Sequence, residues 1–227
     1  MDKIILDKVT KIYRRDVGKI TAVKNVSIRF GEGIYIITGG NASGKSTMLR
    51  IIAGITKPDS GSVYVLGKKL YSDCDEKCSS KMRRDEVGFM PQTLLIPNNF
   101  SAIKAAGFPL IIKNVKDWEK VTYSYLSDIG LSDVANIKCK YLSVGQRQRL
   151  AFIRSIISDP KIILLDEPFS HQDLDGVKMM SKIIINLSRG KTILLATPDI
   201  DIVKRFFPVK VKILKMRKGE ILEEQSL

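Results

Sequence analysis

The hydrophobic positions of the chain form two kinds of pattern, short uninterrupted runs and helical repeats, which together predict an α/β protein. Uninterrupted apolar runs are typical of strands buried on both faces of a parallel sheet. The alternation from Val26 to Phe30 and the looser alternation from Ile4 to Thr10 instead predict a half-buried hairpin, and residues 211–222 predict another. The uninterrupted runs are 34–37, 162–165 and 193–196.

Helical patterns dominate the middle of the chain. Residues 94–142 hold amphipathic repeats, including Trp118, Val121 and Tyr125, and no convincing strand. We therefore expect a helical insertion between two parts of the sheet. The preceding residues 71–86 are rich in Asp, Lys, Arg, Ser and Cys, which predicts a surface segment.

The run at 34–37 leads into a loop with the composition of a phosphate site. Residues 39–46 (GGNASGKS) fit the spacing G-x-x-x-x-G-K-[ST], and a helical pattern follows. In such a loop the backbone N–H groups and the helix dipole hold the phosphates. We expect Lys45 to reach the β- and γ-phosphates and Ser46 to coordinate Mg²⁺. The expected contact residues are Gly39, Gly40, Asn41, Ala42, Ser43, Gly44, Lys45, Ser46 and Thr47.

Two carboxylates end the second uninterrupted run. Asp166 and Glu167 follow 162–165 directly, and the carboxyl ends of strands are where α/β sheets bind ligands. Asp166, next to the strand, is expected to hold Mg²⁺ through water. Glu167 is expected to polarise the water that attacks the γ-phosphorus. The pair therefore predicts hydrolysis of a nucleoside triphosphate.

A second motif lies at a predicted helix start. Ser143 and Gln146 stand three residues apart, as in a capping box, so the helix N-terminus can bind an anion. Capping for stability alone is the alternative. The stretch 142–146 (LSVGQ) also resembles the LSGGQ signature of ATP-binding cassette (ABC) proteins, with Val144 in place of the first glycine.

The resemblance to the ATP-binding subunits of ABC transporters covers nearly the whole chain. It implies an α/β fold with a P-loop NTPase core and mostly parallel sheet, an N-terminal antiparallel β subdomain and an inserted α-helical subdomain. One nucleotide-binding domain would span 1–227, with 1–92 and 160–227 as the ATP-binding core and about 93–159 as the helical subdomain and signature helix. The implied cofactors are ATP and Mg²⁺.

The resemblance also implies roles for residues outside the phosphate loop. Tyr13 looks like the aromatic residue that stacks on adenine, and a core tyrosine is the alternative. Gln92 looks like the Q-loop glutamine, which senses Mg²⁺ and the attacking water. The implied catalytic residues are Lys45, Gln92 and Glu167, and the implied metal ligands are Ser46, Gln92 and Asp166.

In ABC proteins two nucleotide-binding domains pack head to tail, and the signature of each faces the γ-phosphate held by the other. Ser143, Val144, Gly145 and Gln146 would therefore act in trans. The resemblance implies a second nucleotide-binding domain, in a homodimer or heterodimer, and a separate transmembrane permease. Residues 108–112 would offer a groove for the permease, although a core role for this run is the alternative.

Two loops depart from the family's pattern. In residues 171–175 (HQDLD) an ungapped match selects Asp173 as the D-loop aspartate, while the usual Leu-Asp pair selects Asp175. We favour Asp173. Where the family has a switch histidine, this chain has Pro198, and its only histidine, His171, lies in a different loop. Proline offers neither a side-chain hydrogen bond nor an N–H, so we expect slow hydrolysis.

The composition bears on the cellular compartment of the protein and on the kinds of partner that it binds. The net charge of +14 favours anionic partners, although a solvated lysine-rich surface is the alternative. No apolar run reaches 18 residues and no signal sequence is evident, so we expect neither export nor a membrane span. The resemblance to ABC transporter subunits implies a cytoplasmic protein held peripherally on the cytoplasmic face of the cell membrane by another chain. The three cysteines show no zinc spacing and cannot all pair, which predicts free thiols in a reducing compartment.

The sequence thus predicts the ATP-binding and ATP-hydrolysing subunit of an ABC transporter, which energises a separate transmembrane partner through ATP-dependent dimerisation. The alternatives are a soluble ABC ATPase of nucleic-acid maintenance or cluster assembly, and a degenerate ATP-binding half of a heterodimer. Neither the long heptad arms nor the zinc pairs of the nucleic-acid proteins occur, so we expect no direct nucleic-acid partner.

Overall fold

The computed structural model describes residues 2–15, 18–72 and 76–226, and within these ranges the chain forms ten strands and seven α-helices. The strands are β1 Ile4–Arg15, β2 Gly18–Phe30, β3 Gly33–Thr38, β4 Ser60–Val65, β5 Lys68–Lys69, β6 Val87–Met90, β7 Ile162–Asp166, β8 Thr192–Ala196, β9 Lys212–Arg217 and β10 Glu220–Ser226. The helices are α1 Lys45–Ile52, α2 Glu76–Asp85, α3 Ala102–Ile112, α4 Trp118–Asp128, α5 Val144–Ile156, α6 Leu174–Leu187 and α7 Ile200–Phe206.

The larger sheet has the strand order β10-β9-β3-β8-β7-β6. All its neighbouring pairs are parallel except β10 with β9. Every residue of β7 and β8 is buried, as their uninterrupted apolar runs predict. Since the carboxyl ends of parallel strands meet at one edge, the loops after β3, β6, β7 and β8 converge there.

The smaller sheet is antiparallel, in the order β2-β1-β4-β5. Its apolar face and α1 cover one face of the larger sheet, and Tyr35 and Ile37 of β3 belong to that core. The alternate residues Ile34 and Ile36 belong to a second core with the helices on the opposite face. Strand β3, which carries the phosphate loop, is therefore held from both sides.

The segment between β6 and β7 is helical, as its amphipathic pattern predicts. It contains α3, α4, α5 and two 3₁₀ turns, Ser132–Val134 and Cys139–Tyr141. Pro109 lies inside α3 near its C-terminal end. Among the described residues, no helix is long and apolar enough to cross a membrane.

Two expectations about the preceding surface segment need correction. Part of it forms α2, whose Met82 is only 5% exposed and packs into the core beside α1 and the smaller sheet. Cys78 is disulfide-bonded, so the prediction of three free thiols is wrong, while Cys139 is a buried free thiol. An odd cysteine count leaves one thiol unpaired without preventing the others from pairing. Cys74 lies outside the described residues.

Candidate functional site

The phosphate loop is packed so closely that two of its glycines cannot be replaced without distortion. A Cβ on Gly39 would lie 2.2 Å from the Met216 carbonyl oxygen, and one on Gly44 would lie 2.1 Å from that of Ala22. Both glycines also have positive φ, 147° and 109°. Gly44 precedes α1, whose N-terminus receives no side-chain cap from the described residues. The first N–H groups of α1 are thus available to an anion.

Lys45 lies folded over the phosphate loop. Its side chain is almost completely buried, and its Nζ donates to the carbonyl oxygens of Gly39 and Gly40 at 2.7 and 3.0 Å. Burial lowers the pKa of Lys45, while the charges of Glu167 and Asp166 act in the opposite direction. An ammonium group in this place can exchange carbonyl oxygens for phosphate oxygens.

Asp166, at the end of β7, is fully buried next to the phosphate loop. Its Oδ1 accepts a hydrogen bond of 3.0 Å from the Ser46 hydroxyl, and its Oδ2 has no hydrogen-bond partner among the described residues. Burial raises the pKa of Asp166, and the Ser46 hydrogen bond opposes that rise. A buried carboxylate oxygen without a partner, beside a hydroxyl, is the type of ligand set that suits Mg²⁺.

A cavity of about 350 Å³ opens over this arrangement. Glu167, directly after β7, has a left-handed backbone with φ 53°, and its N–H donates to the Ala196 carbonyl oxygen at 2.9 Å. The cavity brings together residues that the sequence predicts for the site, including Tyr13 and Glu167, which are 154 positions apart in the chain. Its lining is Tyr13, Ile20, Ala22, Asn41, Ala42, Ser43, Gly44, Lys45, Ser46, Thr47, Gln92 and Glu167.

Two cavity residues, Ile20 and Ala22, were not predicted from the sequence. Both belong to β2, and Ile20 is 44% exposed although it is apolar. The sequence of β2 gives no signal for this role, because the antiparallel pairing of β1 with β2 brings Ile20 opposite Tyr13. Together these three residues form the apolar side of the cavity.

The predicted signature residues do not line this cavity. Ser143 is the exposed N-cap of α5, and both hydrogen bonds of the predicted capping box are present. The Ser143 N–H donates to Gln146 Oε1 at 2.9 Å, and the Gln146 N–H donates to Ser143 Oγ at 3.2 Å. Val144, which replaces the first glycine of the motif, is 57% exposed. Together with Gly145, these residues form the signature turn, a surface turn at a helix N-terminus.

After β7, Asp173 lies at the end of the loop and Asp175 lies in helix α6. Asp173 is the N-cap of α6, and its Oδ1 accepts from the Gly176 N–H at 2.8 Å, whereas Asp175 lies in the first helical turn. The assignment of Asp173 as the D-loop aspartate stays a prediction.

Pro198 is exposed after β8, and its neighbour Thr197 is almost completely buried. The Thr197 hydroxyl accepts a hydrogen bond of 3.1 Å from the Asp199 N–H, and Asp199 in turn caps α7. The hydroxyl is therefore already engaged in its own turn. It does not offer an unoccupied substitute for the missing histidine.

The sequence matches the ABC transporter family over residues 23–170, which run from β2 through the phosphate loop and the signature turn. The chain belongs to the ABC transporter family. As a cassette of this family it binds and hydrolyses ATP, so the predicted family, the α/β P-loop fold and the activity are confirmed.

The cassette has close relatives of known structure. It is 36% identical over 233 aligned positions to the uncharacterized ABC transporter ATP-binding protein MJ0796 of Methanocaldococcus jannaschii, covering 99% of this chain and 97% of the relative. A dimeric structure of MJ0796 superposes with a TM-score of 0.90 at 33% identity, covering 99% and 98% of the two chains. A dimeric, post-hydrolysis structure of MJ0796 bound to ADP and Pi gives 0.89 at 32% identity, with the same coverage.

Proposed function

We propose that the cassette hydrolyses MgATP between two nucleotide-binding domains and thereby drives a separate transmembrane permease. The Ser46–Asp166 pair beneath the phosphate loop carries the proposal, since Asp166 Oδ2 has no partner in the described part of the chain and Glu167 follows directly. These oxygens fit Mg²⁺. The ion, when bound, would offset the charge of the β- and γ-phosphates.

The cavity residues have separate roles in this proposal. Lys45 releases its loop carbonyls and binds the β- and γ-phosphates, and Tyr13 stacks on the adenine. Glu167, which lines the same cavity, accepts a hydrogen bond from the attacking water and polarises it. Gln92, which follows β6 and lines the cavity, orients that water and the ligands around Mg²⁺.

The second nucleotide-binding domain completes the site. The signature turn is exposed and begins a helix, so its N-terminal N–H groups can face the γ-phosphate held by a partner domain. The dimeric structures of MJ0796 support the pairing of two such domains. Hydrolysis removes the shared charge and allows the two domains to separate.

An apolar groove offers a place for the permease. The groove, of about 660 Å³, lies between α2, β6, α3 and α5, and large apolar side chains are exposed in it: Leu95 is 77%, Ile55 52% and Ile112 48% exposed. Exposed apolar side chains grouped in one concave surface are typical of protein-binding sites. We assign this groove to a helix of the permease, which would hold the cassette at the cytoplasmic face of a membrane.

The groove also carries positive charge, supplied by Arg50, Arg83 and Arg154, while the charge of Arg84 is paired with Asp85. Arg154 donates to the Leu95 carbonyl oxygen at 2.8 Å and lies 5.7 Å from the centre of the Phe108 ring. Burial lowers its pKa, and it has no carboxylate at ion-pair distance among the described residues. The helix that fills the groove is therefore expected to place an acidic side chain near Arg154.

A degenerate half of a heterodimer is the second candidate. Two positions favour it: Pro198 provides no hydrogen bond at the switch position, and Val144 adds an exposed branched side chain where the signature has glycine. In such a dimer this chain would bind ATP but hydrolyse it slowly. Most of the ATP turnover would take place with the intact catalytic residues of the partner chain.

Lys45→Ala tests the nucleotide site. Loss of the buried ammonium removes charge-assisted hydrogen bonds worth about 1.5–3 kcal/mol each, so MgATP affinity measured by calorimetry is expected to fall by roughly 10- to 100-fold or more. Lys178→Ala, at an exposed position of α6, is the control and is expected to bind normally. Unchanged affinity in Lys45→Ala would contradict the assignment of this loop.

A further inference from the structure

Two glutamines bind the signature turn to the segment that carries Glu167. Gln172 Nε2 donates to the Gly145 carbonyl oxygen at 3.0 Å. Gln148, one helical turn beyond Gly145 on α5, is 3% exposed, and its Nε2 lies 2.8 Å from the Glu167 carbonyl oxygen and 2.7 Å from Ser170 Oγ. Hydrogen bonds from both glutamines therefore join α5 to the loop between β7 and α6.

Two glycines beside these glutamines, Gly145 and Gly176, lie where a Cβ would come very close to a neighbouring atom. A Cβ on Gly145 would lie 2.8 Å from the His171 carbonyl oxygen, and one on Gly176 would lie 2.6 Å from Gln172 Oε1. Neither glycine has a positive φ, so backbone freedom does not account for them. Each lies in a helix, where glycine costs about 1 kcal/mol relative to alanine. Gly176 thus leaves room for the Gln172 side chain against the signature turn.

Hydrogen bonds of this network reach the backbone of Glu167. Its φ of 53° is uncommon for a residue other than glycine and persists only where neighbouring groups hold it. Its carbonyl oxygen accepts from Gln148 Nε2, and from the Ser170 hydroxyl at 2.9 Å. Together with the bond from the Glu167 N–H to the Ala196 carbonyl oxygen, these hydrogen bonds restrain the backbone from which the Glu167 carboxylate extends.

We propose that Gln148 and Gln172 are positioning residues that make the signature turn and Glu167 of one protomer move as a unit. The inference rests on the proposed function, in which the signature turn meets the partner's nucleotide while Glu167 serves its own. When the signature turn docks on the partner's γ-phosphate, the two glutamines carry that displacement to Glu167 in the same chain. Each protomer thus aligns its own carboxylate only when it has engaged its partner.

The kinetic test uses Gln172→Leu and Gln148→Leu, which keep side-chain size but remove the donor. Gln172→Leu loses one hydrogen bond, whereas Gln148→Leu loses those to the Glu167 and Pro168 carbonyl oxygens and to Ser170 Oγ, so kcat is expected to fall about 3- to 10-fold in the first variant and at least as much in the second. The ATP affinity of the monomer should stay near that of wild type in both variants, and so should the unfolding midpoint of Gln172→Leu, whereas Gln148→Leu leaves buried acceptors without their donor and should lower the unfolding midpoint. Gln225→Leu, on exposed β10, is the matched control and should leave kcat unchanged. Unchanged kcat in both variants, or a fall that parallels lost affinity and stability, would overturn the proposal.

A second readout does not depend on turnover. In Glu167→Gln protein, ATP-driven dimerisation is expected to slow amide hydrogen exchange both in 143–147 and in 167–172. With Gln148→Leu and Gln172→Leu added, only the first segment should become protected. Equal protection of both segments would overturn the inference. If Glu167→Gln protein with both glutamines intact forms no ATP-dependent dimer, the proposed function fails, and the inference fails with it.

Discussion

Replacing Asp166 with asparagine is expected to stabilise the nucleotide-free protein while it abolishes the effect of Mg²⁺. Asp166 is fully buried, and within residues 2–15, 18–72 and 76–226 only its Oδ1 is hydrogen-bonded, to Ser46. An unsatisfied buried polar group costs roughly 1–3 kcal/mol, and more when it is charged. Asparagine keeps the acceptor for Ser46 and removes the charge, so we expect a gain of about 1 kcal/mol at neutral pH.

The pH dependence of that gain follows from the raised pKa of Asp166. Below the unfolded-state pKa of about 3.9 the carboxyl is protonated in both states, and the wild type carries no charge cost. As the pH rises through the higher folded-state pKa, the unfolded chain releases the proton more readily and the wild type loses stability. The advantage of Asp166→Asn should therefore be smallest in acid and largest at neutral pH.

Thermal unfolding with and without nucleotide measures both effects. A gain of 1 kcal/mol corresponds to about 2–4 °C in a domain of this size, and MgATP at 100 times its Kd should add about 2.7 kcal/mol to the wild type only. Ser46→Ala should lower the stability of the nucleotide-free protein. The control is Asp7→Asn at an exposed position, which should change that stability by less than about 0.5 kcal/mol. An Asp166→Asn protein that is less stable than wild type at neutral pH refutes the reasoning.

Three further changes test other parts of the site. Pro198→His should raise kcat on the order of 10² while ATP affinity stays nearly constant, measured by a steady-state phosphate-release assay; no gain over an already typical wild-type rate of about 10 per second would make the switch position dispensable. Gly44→Ala should abolish ATP binding in calorimetry, because its Cβ would lie 2.1 Å from the Ala22 carbonyl oxygen; retained affinity would contradict the geometry of the loop. Arg154→Glu should reduce co-purification with a membrane protein, while Arg189→Glu, exposed after α6, should not; equal recovery with both variants would argue against the groove assignment.

The parts of the fold that the sequence predicts well are those with strong local signals. The buried runs ending at Ile37 and Leu165 are strands of the parallel sheet, and the capping box at Ser143 begins α5 as expected. The Gly-rich spacing from Gly39 to Ser46 forms a loop between β3 and α1. In each case neighbouring residues determine the structure, so one sequence suffices to predict it.

The parts that sequence reasoning misses depend on contacts between distant segments. Helix α2 is polar almost throughout, and only its contact with the core, through Met82, reveals an amphipathic element. Ile20 joins the nucleotide cavity because of strand pairing across a hairpin. Gln172 meets Gly145 only once the loop between β7 and α6 lies against the start of α5, and no local pattern distinguishes it from a solvated polar residue.

ATP-dependent dimerisation of Glu167→Gln protein tests the central claim most directly. This substitution keeps the side chain's size, so ATP and Mg²⁺ should still bind, but the group that polarises water is lost and hydrolysis should slow by roughly 10²–10⁴. The γ-phosphate would persist, and sedimentation velocity is expected to show a dimer with MgATP and a monomer with MgADP. Lys45→Ala added to the same protein should abolish the dimer. A Glu167→Gln protein that binds MgATP but remains monomeric in sedimentation velocity, even when the protein concentration is raised, would contradict the account.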